Sequence, residues 1–172
     1  MNYTFDNDKF ISMNKIQKYA DAIVLGMHDA LVSQTGIIAG LAFALADRRL
    51  IILTGTISAV AAGLSMAASN YLAEQSRQSR RAIQAGLFTG SAYLITSGLL
   101  MLPFVMTPNV RAAMASAFVI AILIIFLFNC CIRQTTGNLW RKFLKMLLLC
   151  VAVSVVAFLI GEFARMWLGI DV

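Results

Sequence analysis

Charge is what this sequence has least of. Only 13% of its 172 residues are Asp, Glu, Lys or Arg, roughly half the share usual in a soluble domain. The deficit is uneven: charged residues stand in short clusters between long apolar runs. Hydrophobic residues make up 60% of the chain, and the mean hydropathy is +0.81. A spanning helix needs roughly 20 mostly apolar residues to cross about 30 Å of hydrocarbon, and these runs are long enough. Long loops and soluble insertions are lacking too. A second domain is therefore excluded, and activity is expected within the membrane or at its surface.

Histidine is nearly absent, with His28 alone. There is no His/Glu cluster suited to di-iron or zinc chemistry and no serine–histidine pairing at usable spacing, so the chain is not expected to be an enzyme. Of the three cysteines, Cys130 and Cys131 are adjacent and Cys150 lies inside an apolar run. Without a C-x-x-C, neither a zinc knuckle nor a thioredoxin-like motif is available. The thiols read as small apolar residues, and no cofactor is expected. The net charge of +6 is not a nucleic-acid signal, because Lys and Arg sit at the ends of apolar runs, where they anchor helices.

What is present is an all-α pattern of five apolar segments. They run from Asp21 to Ala46, Leu50 to Ala73, Ala82 to Met106, Ala112 to Ile132 and Phe143 to Leu168, with Pro103 and Pro108 closing the third. Residues 1–20 are polar, and Phe10, Met13, Ile16 and Tyr19 recur among lysines at helical spacing. That pattern fits either an interfacial amphipathic segment or an ordinary solvated cytoplasmic tail. Residues 21–172 form one five-helix transmembrane domain. No signal-peptide core precedes the first run, so it is expected to be a retained span.

With five spans, Lys9, Lys15, Lys18, Arg77, Arg80, Arg81, Arg133, Arg141, Lys142 and Lys145 share one side. Arg48, Arg49, Arg111 and Arg165 share the other. This asymmetry puts the N-terminus in the cytoplasm and the C-terminus outside. The short loops point to a multi-pass protein of a bacterial inner (plasma) membrane.

Asp29 is the residue that demands a reason. It lies eight residues inside the first span, roughly 12 Å along the helix axis. A carboxylate at that depth costs a few kcal/mol and normally serves a pathway; as a protonated acid it would instead be glue between helices. Around it, Ala22, Gly26, Ser33, Gly36 and Gly40 recur in steps of three and four, so they form a small-residue seam with Asp29 on it. The second span carries a matching stripe of Gly55, Ala59, Ala62, Met66, Ser69 and Ala73.

Because the two spans run antiparallel, Asp29 and Met66 are expected at similar depth. A carboxylate and a thioether together suit Fe2+ or Mn2+ better than Mg2+ or Ca2+, although a methionine in such a helix is also ordinary packing. His28 points about 100° away from Asp29. With Ser33, Asn70 and Glu74, it is a further candidate for the path or a proton relay. Glu162 and Arg165, three apart, are read as an interfacial pair. Thr89, Asn129 and Ser154 are read as helix–helix hydrogen-bonding residues.

The stretches Asp21-Ala-Ile-Val-Leu-Gly-Met-His-Asp-Ala-Leu-Val-Ser and Ala61-Ala-Gly-Leu-Ser-Met-Ala-Ala-Ser-Asn-Tyr-Leu resemble the vacuolar iron transporter family. That family has five spans, an Asp-Gly in the first and a Ser-Met-x-x-x-x-Tyr motif in the second. The resemblance implies a homodimer that moves Fe2+ or Mn2+ out of the cytosol in exchange for protons. It also implies a path lined by span one at the two-fold axis, with Asp29 and Met66 of each copy as ligands. The chain departs from the pattern at Ala30, which follows Asp29, at Asn70 before Tyr71, and at Ser58, where some members carry a carboxylate. The acidic helices that many members carry between spans two and three are missing, and a short basic loop with Arg77, Arg80 and Arg81 stands there. The competing expectation is a membrane interaction protein that retains the scaffold without transporting.

Overall fold

A computed structural model describes residues 4–45, 47–131 and 139–168. The side chains of Lys9, Lys15, Lys18, Asn129, Cys130, Cys131 and Arg165, on which several expectations fall, lie outside what it describes. Five helices follow in order: α1 (Thr4–Leu45), α2 (Arg48–Ser76), α3 (Ala82–Met106), α4 (Val110–Cys131) and α5 (Leu139–Leu168). Each contains a stretch long and apolar enough to cross a membrane, and no strand occurs among the described residues. The protein is an all-α multi-pass membrane protein.

The helix boundaries follow local chemistry. The Asp47 side chain accepts from the Arg49 N–H at 2.7 Å and caps the start of α2. Asn109 does the same for α4, accepting from the Arg111 N–H at 3.0 Å. Pro103 does not end α3: it sits inside the last turn, and the helix runs on to Met106. A proline loses its own N–H and crowds the carbonyl four residues before it, but its own carbonyl still accepts from the Thr107 N–H at 2.8 Å and closes the last turn. α1 begins at Thr4, so the polar segment and the first span are one continuous helix.

α1 is the central helix and touches all four others. In α1 and α3, 56% of the span is buried inside the bundle, against 11% in α5; α5 therefore faces mostly outward. Leu31, Ile38, Ile51, Leu100, Phe104 and Ile125 form the core. Ile57, Leu64 and Ile160 stay on the outside, where lipid accepts them without cost.

The small residues of α1 are spent within one chain. A Cβ on Gly26 would collide with the Thr89 carbonyl of α3, while one on Gly36 would lie 2.9 Å from Val153 Cγ1 and one on Gly40 3.1 Å from the Ala157 oxygen, both in α5. Gly161 returns the contact, because its Cβ would come within 2.9 Å of the Gly40 oxygen. The seam read from the sequence therefore exists, but it joins α1 to α3 and α5.

On α2 the buried line differs from the expected stripe. It runs through Ile51, Gly55, Ala59 and Gly63 in strict steps of four, whereas Ala62 and Met66 are half-buried and Ser69 and Ala73 exposed. Steps of four drift around a helix of 3.6 residues per turn. The contact line therefore winds away from the stripe assumed at constant angle.

Candidate functional site

Asp29 is half-buried on α1, and its carboxylate makes no hydrogen bond or ion pair among the described residues. One turn on, the Ser33 hydroxyl donates to the Asp29 carbonyl oxygen at 2.7 Å. That commits its only proton, so in the 2.8 Å contact between Ser33 Oγ and the Tyr93 hydroxyl, Tyr93 is the donor. Tyr93 is wholly buried in α3, and its hydroxyl is within electrostatic reach of Asp29. Ser33 thus joins the Asp29 turn to α3.

Two more polar groups tie the three helices together. The Thr89 hydroxyl donates to the Ala22 carbonyl of α1 at 3.1 Å, with the Ala85 carbonyl at 3.0 Å as the competing acceptor. It also accepts from the Asn70 amide of α2. Asn70 donates as well to the Ala85 carbonyl at 3.2 Å, so both its protons are engaged. Higher in the bundle the fully buried Gln34 donates to the Gly55 carbonyl at 3.1 Å.

These contacts fix the register of α1 against α2. Gln34 meets Gly55 directly, and Ala22 meets Asn70 through Thr89. Interpolated between those pairs, Asp29 stands level with roughly residues 60–64 of α2. Met66 lies within about a turn or so of that level, towards the Asn70 end.

His28 is half-buried and sits edge-on to Phe128 of α4, with ring centroids 5.3 Å apart. It faces a different helix from the one that Ser33 meets. Among the described residues, no three His, Cys, Asp or Glu side chains gather closely enough to hold a metal ion.

Where α1, α2 and α3 come together near Tyr19, Ser76 and Ala82, a cavity of about 430 Å³ opens. Its lining includes Asp21, Asn70, Glu74, Arg77 and Arg81, above Ala22, Leu25, Ala73 and Ala85. Glu74 pairs with Arg77 at 3.2 Å. Asn70 and Glu74 therefore share one cavity, while Ser33 and Asp29 lie deeper and His28 lies aside.

Comparison with known proteins gives a partial match: the VIT family model matches residues 20–80, which span α1 from Ala20 onward, all of α2 and most of the turn beyond it. The match covers 61 of the 172 residues, a similarity to that family confined to the first two spans. The matched stretch holds Asp29, Met66, Asn70 and Glu74, together with the Gly26, Gly36 and Gly40 seam. Among curated proteins, none matches the chain.

Three fully buried polar residues were not singled out from sequence as site residues: Gln34, Tyr93 and Ser97. Tyr93 and Ser97 are four apart on α3, and Thr89 four before them. A four-residue polar repeat in an otherwise apolar span is the one signal that marks Tyr93 and Ser97; nothing comparable marks Gln34.

Proposed function

We propose that the protein exports a divalent transition metal, Fe2+ or Mn2+, from the cytosol in exchange for protons, as a homodimer with Asp29 and Met66 of each copy as ligands. The observation that carries this reading is the Asp29 carboxylate, inside the first span and without a partner among the described residues. A carboxylate suits both halves of an exchange, because metal binding displaces its proton and protonation releases the metal. The Met66 thioether biases the donor set towards softer ions than Mg2+ and Ca2+.

One chain supplies too few donors around Asp29, and a second copy about a two-fold axis would double them. The outward face of α2 supports such a contact. Ser58, Ala61, Ser65 and Ser69 follow one another at helical spacing on its exposed and half-buried side, and small residues facing lipid favour close approach of another helix. In this reading Asn70 and Glu74 line the cytosolic mouth, Ser33 stands beside the ion and His28 flanks it. The N-terminus is cytoplasmic, and the membrane is a bacterial plasma membrane.

The second reading is a membrane interaction protein that does not transport. The short turn between α2 and α3 favours it, because Glu74 is neutralised by Arg77 where a metal-collecting segment would help capture. Thermal melting of the purified protein separates the two. Mn2+ or Fe2+ should raise the melting temperature, and Met66→Ala should abolish the rise. No metal-dependent shift in the unaltered protein would favour the interaction protein.

A further inference from the structure

We propose that the cavity at the joint end of α1, α2 and α3 binds a phosphoethanolamine group, as a lipid headgroup or as the free molecule. This goes beyond the transport reading and does not depend on the cargo. The spans of α2 and α3 meet here at Ser76 and Ala82, and Arg77, Arg80 and Arg81 stand between them, so the cavity lies where these helices leave the hydrocarbon, in the headgroup layer. Its volume, about 430 Å³, lies in the usual range of small-molecule sites.

The charges of the lining select the ligand. Two carboxylates, Asp21 and Glu74, and two guanidinium groups, Arg77 and Arg81, line the cavity. Only Glu74 and Arg77 pair; Asp21 and Arg81 make no ion pair among the described residues. Arg81 lies over the Tyr19 ring, 5.9 Å from its centroid. Tyr19 is itself fixed by a 2.6 Å hydrogen bond to Gln84 and an edge contact with Phe88. The guanidinium is therefore held on an aromatic shelf at the rim with no carboxylate to meet it.

A simple cation in this cavity meets guanidinium groups, and a simple anion meets carboxylates. A zwitterion meets both with the right sign. The planar guanidinium matches a phosphate with paired N–H donors, and a primary ammonium gives N–H bonds to the Asp21 carboxylate. The same lining includes the apolar Ala22, Leu25, Ala73 and Ala85, which suit the glycerol end of a lipid.

The test titrates the full-length protein in detergent with phosphatidylethanolamine, phosphatidylcholine and phosphatidylglycerol of matched chains. Melting temperature and lipid retained in native mass spectrometry are read. Phosphatidylethanolamine should bind about tenfold more tightly than either other lipid, since trimethylation removes the ammonium donors and the glycerol headgroup removes the cation. Asp21→Asn and Arg81→Gln should each erase that preference, while Arg80→Gln, outside the lining, should keep it. A shift with millimolar phosphoethanolamine alone identifies the free molecule as sufficient, and a shift only with the lipid identifies the membrane as its source. Equal binding of the choline lipid, stronger binding of the glycerol lipid, or a preference unmoved by Asp21→Asn and Arg81→Gln would overturn the proposal. Metal transport could fail entirely without touching these outcomes.

Discussion

At the residue scale, Asp29 was legible because a charge inside a twenty-residue apolar run has no cheap explanation. Gly26, Gly36 and Gly40 were legible as a seam, since small residues in steps of three and four share a helix face. What they pack against was not, because a stripe names no partner. The structure gives Gly26 to the Thr89 backbone and Gly36 and Gly40 to α5. Gly26→Ala should therefore destabilise the protein by about 1–3 kcal/mol or more, since the colliding atom is backbone and cannot rotate away. Gly98, which has nothing within 4 Å of a built Cβ, is the control: Gly98→Ala should leave the melting temperature unchanged or raise it. Tyr93 was missed because a tyrosine in a span shows no motif. Its hydroxyl donates to Ser33 from a fully buried position, so Tyr93→Phe should cost about 1 kcal/mol, read as a lower melting temperature.

At the element scale, the five spans and most of their ends followed from hydropathy, charge clusters and capping residues. Helix rotation was not legible. The stripe on α2 was drawn with mixed steps of three and four, whereas the helix packs along steps of four and its contact line drifts. Which line is used depends on the partner helix, and no single-helix pattern contains that information. The turn after α2 holds a further detail beyond reach of pattern: Gln78 adopts a left-handed backbone with φ of 55°. The Ser79 N–H closes back on the Glu74 carbonyl at 3.1 Å across it. A non-glycine residue pays roughly 1 kcal/mol for that conformation, so Gln78→Gly should raise stability by up to about that amount in thermal melting. Little change would mean that the turn adopts another backbone.

At the scale of the whole molecule, the central place of α1 changes what a dimer can use. Its glycine seam is already buried against α3 and α5, so a two-fold contact must draw on the outward face of α2 and the half-exposed strip of α1 around Asp29. In a background lacking the native cysteines, Ser65→Cys should therefore cross-link two copies in the membrane. Leu159→Cys, on the outward face of α5 where Leu159 is 58% exposed, should not. Efficient cross-linking at residue 159 alone would place the axis elsewhere.

The account rests finally on Asp29 as the group that exchanges metal for protons. Its most direct test is flux of Fe2+ or Mn2+ into liposomes carrying the purified protein, with an internal pH dye read at the same time. The unaltered protein should move metal inward and protons outward together. Asp29→Asn, which keeps the side-chain volume and removes the charge, should lower both fluxes at least about tenfold, a loss of the size expected when a carboxylate ligand is removed. Undiminished metal flux in Asp29→Asn would contradict the account.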